Sequence, residues 1–108
     1  MGGRRDMLTV EVKKEDGRLI FILDGRLDTI TTPQLEKMIH ENINGTKELI
    51  LECAKLDYVS SAGLRLLLAT HNMIKNTGGI MLLRDVNEGI KDVLDMTGFS
   101  PILHVEWM

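Results

Sequence analysis

The feature that most constrains this chain is the alternation of short apolar runs with segments of helical spacing. The first run, LTVEVKK, places Leu8, Val10 and Val12 on one side, which is typical of a half-buried strand. The turn sequence EDGR joins it to the more continuously apolar run RLIFIL. Since Asp-Gly between apolar runs is a strong hairpin signal, the chain is predicted to begin with a β-hairpin whose second strand ends at Gly25.

Three helical segments then alternate with three further apolar runs. The first, TTPQLEKMIHENI, is predicted to be a helix with Thr32 as its N-cap and Pro33 at its first position. The second is GLRLLLATHNMIKN, and the third is NEGIKDVLDMTG, with Asn87 as its cap and Gly98 as its stop. The runs ELILEC, IMLLRD and PILHVEW are predicted to be the intervening strands.

The predicted order of elements is ββαβαβαβ, which defines an α/β domain. Strands separated by single helices imply right-handed crossovers, so the sheet is predicted to be mixed but mostly parallel, with four to five strands. A length of 108 residues suits one domain. We expect residues 1–6 to be a flexible lead and residues 7–108 to form the domain.

Charge and composition argue against several classes of partner. The net charge is −3 and the basic residues are scattered, which argues against binding to nucleic acid or to an anionic membrane surface. The single cysteine, Cys53, excludes an internal disulfide framework and suits a reducing compartment. There is no apolar run of membrane-span length and no secretory signal, so a cytoplasmic location is expected.

Most enzyme signatures are missing from the sequence. It contains neither a GxxxxGK[ST] phosphate loop nor GxGxxG, and its serines do not fit the nucleophile elbow. The histidines, His40, His71 and His104, lack metal-ligand spacing and are expected at the surface or on helix flanks. Cys53, in an apolar strand, is expected to be an inert core thiol. The sequence therefore predicts no catalytic residue, no metal and no cofactor.

Three aspartates are predicted to lie at or just after the ends of strands. Asp24, Asp28 and Asp57 would then be at the sheet edge where the functional residues of α/β proteins gather. The alternative is turn chemistry, since Asp favours loops by accepting hydrogen bonds from nearby backbone N–H groups. For Asp24 and Asp57 the turn interpretation is favoured.

The stretch LDYVSSAGLRLLL, residues 56–68, contains two serines at the predicted start of the second helix. Ser60 is predicted to be its N-cap, accepting from the amide of Ala62 or Gly63. Glycine in a first turn costs up to about 1 kcal/mol relative to alanine, so Gly63 predicts a close approach by another group. Ser61 occupies the first helical position, where free N–H groups and the helix dipole would accept a phosphate. The residues alone leave both interpretations open, a structural cap and a phosphorylation switch.

The same stretch resembles the signature of STAS domains, in particular that of bacterial anti-sigma factor antagonists. ILDGRLDTITTPQLEKMI resembles the Gly-x-Leu-Asp segment of that family followed by its first helix. GGIMLLRDVNEGIKDVLDMTGFSPIL resembles its Gly-Gly strand, third helix and Met-x-Gly stop. The similarity runs from Leu8 to Glu106.

The resemblance implies a small non-enzymatic switch. In such antagonists the unphosphorylated form binds an anti-sigma factor, which is a serine kinase with an ATP-binding fold, and this binding frees the sigma factor. Phosphorylation of one serine breaks the complex, and a serine phosphatase restores it. When Gly63 is aligned on the family glycine, Ser61 falls on the phosphoacceptor position. Ser60, which stands where relatives often have Asp, is the alternative acceptor.

The resemblance also implies a partner-binding surface formed by the start of the second helix and the Asp24–Thr31 loop. Its predicted members are Asp24, Asp28, Thr29, Ser60, Ser61, Ala62, Gly63 and Leu64. One alternative function is that of a STAS scaffold, or of an accessory subunit of a transporter or lipid-transport complex, without phosphorylation. A second alternative is a small enzyme whose site the sequence motifs do not reveal. Many relatives carry a further helix after the last strand, for which this sequence has no residues. The sheet face that it would cover is expected to be open, covered by a partner, or covered by Trp107.

Overall fold

The computed structural model describes residues 7–108, so the predicted lead at residues 1–6 lies outside the described part of the chain. Its strands are β1 (Leu8–Glu15), β2 (Arg18–Leu27), β3 (Glu48–Val59), β4 (Ile80–Val86) and β5 (His104–Trp107). Its helices are α1 (Thr32–Asn42), α2 (Ser61–Asn76) and α3 (Glu88–Thr97). The predicted order ββαβαβαβ is confirmed.

The strands form one five-stranded sheet in the order β1-β2-β3-β4-β5. The pair β1–β2 is the antiparallel hairpin, and the pairs β2–β3, β3–β4 and β4–β5 are parallel. The predicted mixed, mostly parallel sheet is therefore confirmed. Because one helix joins each parallel pair and such crossovers are right-handed, all three helices lie on the same face of the sheet.

The core lies between this face and the helices. Alternate residues of the central strands point into it, and so do the apolar stripes of the helices, as the 3.6-residue and two-residue periods require. In the core are Leu19, Phe21 and Leu23 of β2, Leu49, Leu51 and Cys53 of β3, Leu35 and Ile39 of α1, Leu64, Leu67 and Ile74 of α2, and Ile90 and Leu94 of α3.

Among residues 7–108, no helix lies on the opposite face of the sheet. Ile20 and Ile50 are buried there outside the main core cluster, and the Arg84–Glu52 ion pair, with 2.7 Å between Nε and Oε1, lies across the neighbouring strands. Trp107 does not cover this face, because its register partner Val86 belongs to the core and Lys91 of α3 lies 5.3 Å from its ring centroid. The three expectations about the face that a further helix would cover stay predictions.

Two strands are longer than their sequence pattern predicts. β3 includes AKLDYV and ends at Val59, and β2 continues through Gly25 to Leu27. Gly25 has a φ of +119°, and a Cβ there would collide with the carbonyl group of Met7, whose oxygen accepts from Arg26 N at 3.0 Å. Gly25 therefore permits a close chain approach inside β2 instead of ending it.

The ends of two other elements also differ from prediction. The N-cap position of α1 is Thr31, and Thr32 is the first helical residue. The Thr32 hydroxyl donates to the carbonyl oxygen of Asp28 at 2.6 Å, so it ties the helix to the preceding loop. β5 begins at His104, because residues 101–103 form turns.

The histidine expectation holds only in part. His40 is exposed on α1, whereas His71 is buried on α2 and its ring centroid lies 5.8 Å from that of His104. Leu67 before His71 and Ile74 after it along α2 face the core, and the helix carries the His71 imidazole inward with them. Across residues 7–108, none of the helices has the length and apolarity needed to cross a membrane.

Candidate functional site

The predicted serine site lies at the edge of the sheet where β2 and β3 end. Leu27 is the last residue of β2, Val59 is the last of β3, and Ser60 and Ser61 follow directly as the start of α2. The backbone N–H of Ser60 donates to the carbonyl oxygen of Leu27 at 2.9 Å. This hydrogen bond joins the start of α2 to the loop that leaves β2.

Ser60 is the N-cap of α2, as predicted. Its backbone is extended, with φ −85° and ψ 174°, and its hydroxyl oxygen accepts from the backbone N–H of Gly63 at 3.2 Å. Its carbonyl oxygen accepts the first helical hydrogen bond, from Leu64 N at 2.9 Å. The hydroxyl of Ser60 is thus engaged in holding the helix start, which is a structural role.

Ser61 is the first helical residue and is exposed to solvent. At this position the N–H groups of Ser61 and Ala62 have no acceptor within the helix, and the helix dipole leaves this end slightly positive. Ser60, Ser61 and Ala62 keep part or all of their surface accessible. The arrangement can accept an anionic group on the Ser61 hydroxyl without unwinding α2.

Gly63 and Leu64 serve the fold instead of a visiting partner. A Cβ at Gly63 would lie 2.9 Å from Cγ and 3.0 Å from the carbonyl oxygen of Leu27, so the close approach predicted at this glycine is made by the chain itself. Leu64 is 5% exposed and belongs to the core. Neither residue presents an exposed side chain, and their assignment to the partner-binding surface stays a prediction.

A network of short hydrogen bonds holds the loop Asp28–Thr31 between β2 and α1. The Asp28 Oδ1 atom accepts from the backbone N–H groups of Ile30 and Thr31, each at 3.0 Å. The Thr31 hydroxyl donates to the carbonyl oxygen of Arg26 at 2.7 Å and accepts from Asp28 N at 2.9 Å. The hydrogen bond from Thr31 N is the main reason that the pKa of Asp28 lies below its ordinary value. Asp28 is therefore an ionised carboxylate that organises its own loop.

Three exposed or partly exposed side chains at this edge were not among the named members of the predicted surface: Arg26 and Ile30, which lie within its Asp24–Thr31 loop, and Tyr58. The Arg26 guanidinium lies 4.2 Å from the ring centroid of Tyr58, and its Nε atom is 3.6 Å from Asp28 Oδ2. Arg26 and Tyr58 are register partners in β2 and β3. The extension of β3 to Val59 creates this pairing, so the signal that could have revealed it is the alternation continuing through AKLDYV.

The other two aspartates lie within strands. Asp24 is exposed inside β2, with Lys55 as its register partner, and Asp57 is exposed inside β3. The prediction that each lies at or just after the end of its strand is wrong, because both strands run further than their apolar runs. Of the predicted surface, Ser60, Ser61 and Ala62 directly follow β3, and Asp28 and Thr29 directly follow Leu27, whose carbonyl oxygen accepts from Ser60 N. Asp24 stands three residues before the end of β2.

Among the described residues, neither a metal-ligand cluster nor a reactive thiol lies at this edge. Within residues 7–108, no group of three or more His, Cys, Asp or Glu side chains could hold a metal ion. Cys53 is 2% exposed, and burial raises the pKa of its thiol to about 12, so it stays protonated at neutral pH. Two surface cavities, of about 280 and 300 Å³, are lined by residues such as Thr46, Thr77, Gly79 and Ile80, near the opposite ends of the parallel strands.

Comparison with known sequences matches the chain to one family. The sequence model of the STAS domain matches residues 9–107. The anti-sigma F factor antagonist of Paenibacillus polymyxa is 30% identical over 100 residues, which cover 91% of this chain and 86% of that protein. The resemblance seen in the serine motif thus extends over nearly the whole domain.

Comparison with solved structures supports the fold. The anti-sigma factor antagonist SpoIIAA in its unphosphorylated form superposes with a TM-score of 0.79 at 18% identity, covering 91% of this chain and 88% of that one. A sulfate transporter family protein from Wolinella succinogenes gives a TM-score of 0.74 at 20% identity, covering 86% of this chain and 79% of that one. At these identities the likeness concerns the fold alone.

Proposed function

This chain belongs to the STAS domain family, and from that membership and the exposed Ser61 we propose that it is an anti-sigma factor antagonist that acts by binding instead of catalysis. Its unphosphorylated form binds an anti-sigma factor, a serine kinase with an ATP-binding fold, in the cytoplasm and so releases the sigma factor. Phosphorylation of Ser61 ends this binding, and a serine phosphatase restores it.

The position of Ser61 is the observation that carries this proposal. Its hydroxyl is exposed at the first residue of α2, whereas the hydroxyl of Ser60 is occupied as the cap. A phosphate ester on Ser60 would weaken that oxygen as an acceptor and would crowd the contact with Leu27. A phosphate on Ser61 projects from the helix start, where N–H groups and the dipole tolerate it.

The phosphate would act through charge and bulk. It adds roughly −1.5 to −2 charges to a chain whose net charge is −3. It places them beside the Asp28–Thr31 loop, in the middle of the proposed docking surface. Breaking a hot-spot interaction at the centre of an interface costs about 2 kcal/mol or more, which weakens binding at least about thirtyfold.

The acceptor is tested by incubating the chain with purified ATP-binding anti-sigma factors of its source organism and ATP, then mapping the phosphate by mass spectrometry. We expect one phosphate on Ser61, lost in Ser61→Ala and kept in Ser60→Ala. Phosphate on Ser60 alone, or on neither serine, would refute the assignment.

The charge mechanism is tested with Ser61→Asp, which we expect to keep the thermal midpoint and to bind the anti-sigma factor at least about tenfold more weakly, by isothermal titration calorimetry. Asn72→Asp is the matched control, because it adds the same charge, with little change of shape, to an exposed position of α2 about 16 Å further along the axis. Equal affinities for both variants would contradict the mechanism.

The alternative is a STAS scaffold or an accessory subunit of a transporter or lipid-transport complex. The fold match to a sulfate transporter family protein keeps it open, since the fold is common to both kinds of protein. Recovery of the chain in a membrane complex, with Ser61 unmodified and no anti-sigma factor bound, would favour this alternative.

A further inference from the structure

The side chain of Ile30 is exposed to solvent. Its residue surface is 84% exposed, while Leu27 before it and Leu35 after it are fully buried. Single exposed apolar side chains are ordinary, and Met96 on α3 is as exposed, at 86%. Exposure alone therefore does not identify a binding site. Ile30 differs from Met96 because its loop is held by hydrogen bonds.

The backbone around Ile30 is fixed on both sides. Ile30 N donates to Asp28 Oδ1 at 3.0 Å, and Thr32 N donates to the carbonyl oxygen of Asp28 at 2.9 Å. The side chain is β-branched and therefore stiff at χ1. An apolar group presented in this way loses little conformational freedom when it is bound, which favours affinity.

The neighbours of this loop are also residues typical of interfaces. Arg26 connects Asp28 to Tyr58, which is 40% exposed, and arginine and tyrosine are among the residue types that dominate binding hot spots. The loop is continuous with the phosphoacceptor, because the carbonyl oxygen of Leu27 accepts from Ser60 N. A partner that encloses the Ser61 hydroxyl therefore reaches the Asp28–Thr31 loop.

We propose that Ile30 is the apolar anchor of the docking surface and inserts into an apolar pocket of the anti-sigma factor kinase, with Asp28 acting as the positioning residue that holds it there. This inference rests on the proposed function. It gives Asp28 a role different from the one expected from sequence. Its carboxylate orders the loop, and the contact with the partner is made by the isoleucine.

The test compares Ile30→Ala and Ile30→Thr with Met96→Ala, which truncates an equally exposed apolar side chain elsewhere. Each chain is titrated calorimetrically, without ATP, against the purified ATP-binding anti-sigma factors of the source organism. We expect both Ile30 variants to bind at least about tenfold more weakly than wild type, and Met96→Ala to bind as wild type. The ratio should stay the same between about 0.05 M and 0.5 M salt, because an apolar contact is not screened. Thermal midpoints should be unchanged.

The possible outcomes distinguish failure of this inference from failure of the proposed function. A wild-type chain that binds none of these anti-sigma factors would refute the proposed function and the anchor together. Wild-type binding with undiminished affinity in both Ile30 variants would refute the anchor and leave the function standing. A wild-type dimer that Ile30→Ala converts to monomers, seen by sedimentation with kinase affinity unchanged, would assign Ile30 to self-association and overturn the proposal.

Discussion

Gly63 has no Cβ, and this allows the close packing that shapes the serine site. The absence of a Cβ lets Leu27 approach the first turn of α2, and this approach positions Ser60 to hydrogen-bond the end of β2. The glycine is costly for the helix by up to about 1 kcal/mol, and the close packing offsets that cost. The site is therefore shaped by a contact inside the protein.

Substitution of Gly63 tests this interpretation. Gly63→Ala should lower the free energy of unfolding by about 1–3 kcal/mol, because the new methyl overlaps Leu27 at 2.9–3.1 Å. Gly89→Ala is the matched control in the first turn of α3, where the nearest atom would lie 3.5 Å away, and it should be neutral or stabilising by up to about 1 kcal/mol. Urea unfolding measures both. A stabilised Gly63→Ala would show that Leu27 does not need this space.

At the scale of elements, α2 is joined to β5 by a pair of imidazoles. His71 is 7% exposed, and in the part of the chain that the structure describes its Nδ1 atom has no hydrogen-bond partner. Burial is the main cause that lowers the pKa of His71, and the charges of His104 and Lys75 add to it. Burial at this contact between α2 and β5 therefore favours the neutral form of the His71 imidazole.

This burial predicts how stability depends on pH. Below about pH 6.5 an unfolded histidine binds a proton, whereas His71 in the folded chain stays neutral to a lower pH. The unfolded state then binds more protons, so the free energy of unfolding should fall as pH is lowered from 7 towards 5. His71→Leu should flatten this slope in urea titrations at successive pH values, while His40→Gln, at an exposed site, should keep it. An unchanged slope in His71→Leu would contradict the assignment.

At the scale of the whole molecule, much of the fold could be predicted from local patterns. The Asp16-Gly17 turn, the caps Ser60 and Asn87, and the stop at Gly98 are short-range signals, and each appears in the structure. The order of elements then fixes a mostly parallel sheet through the handedness of its crossovers.

The features that sequence reasoning missed depend on contacts distant in the chain. Gly25 resembles a strand end until Met7 is placed against it, and the contact of Tyr58 with Arg26 depends on how β3 is aligned with β2 in the sheet. The same applies to the site: Ser61 could be identified from a motif, whereas the exposure of Ile30 depends on how its loop folds.

The placement of Ser61 inside α2 has a consequence for the enzyme that would modify it. A short peptide copied from residues 56–68 contains the same serines, but helices of this length are marginal on their own in water. Such a peptide would also lack Leu27 and the Asp28–Thr31 loop. Under the proposed function, the substrate of the kinase is a tertiary structure instead of a run of amino acids. Misfolded or truncated copies of the chain would then stay unphosphorylated, and the kinase would modify only molecules that have completed their fold.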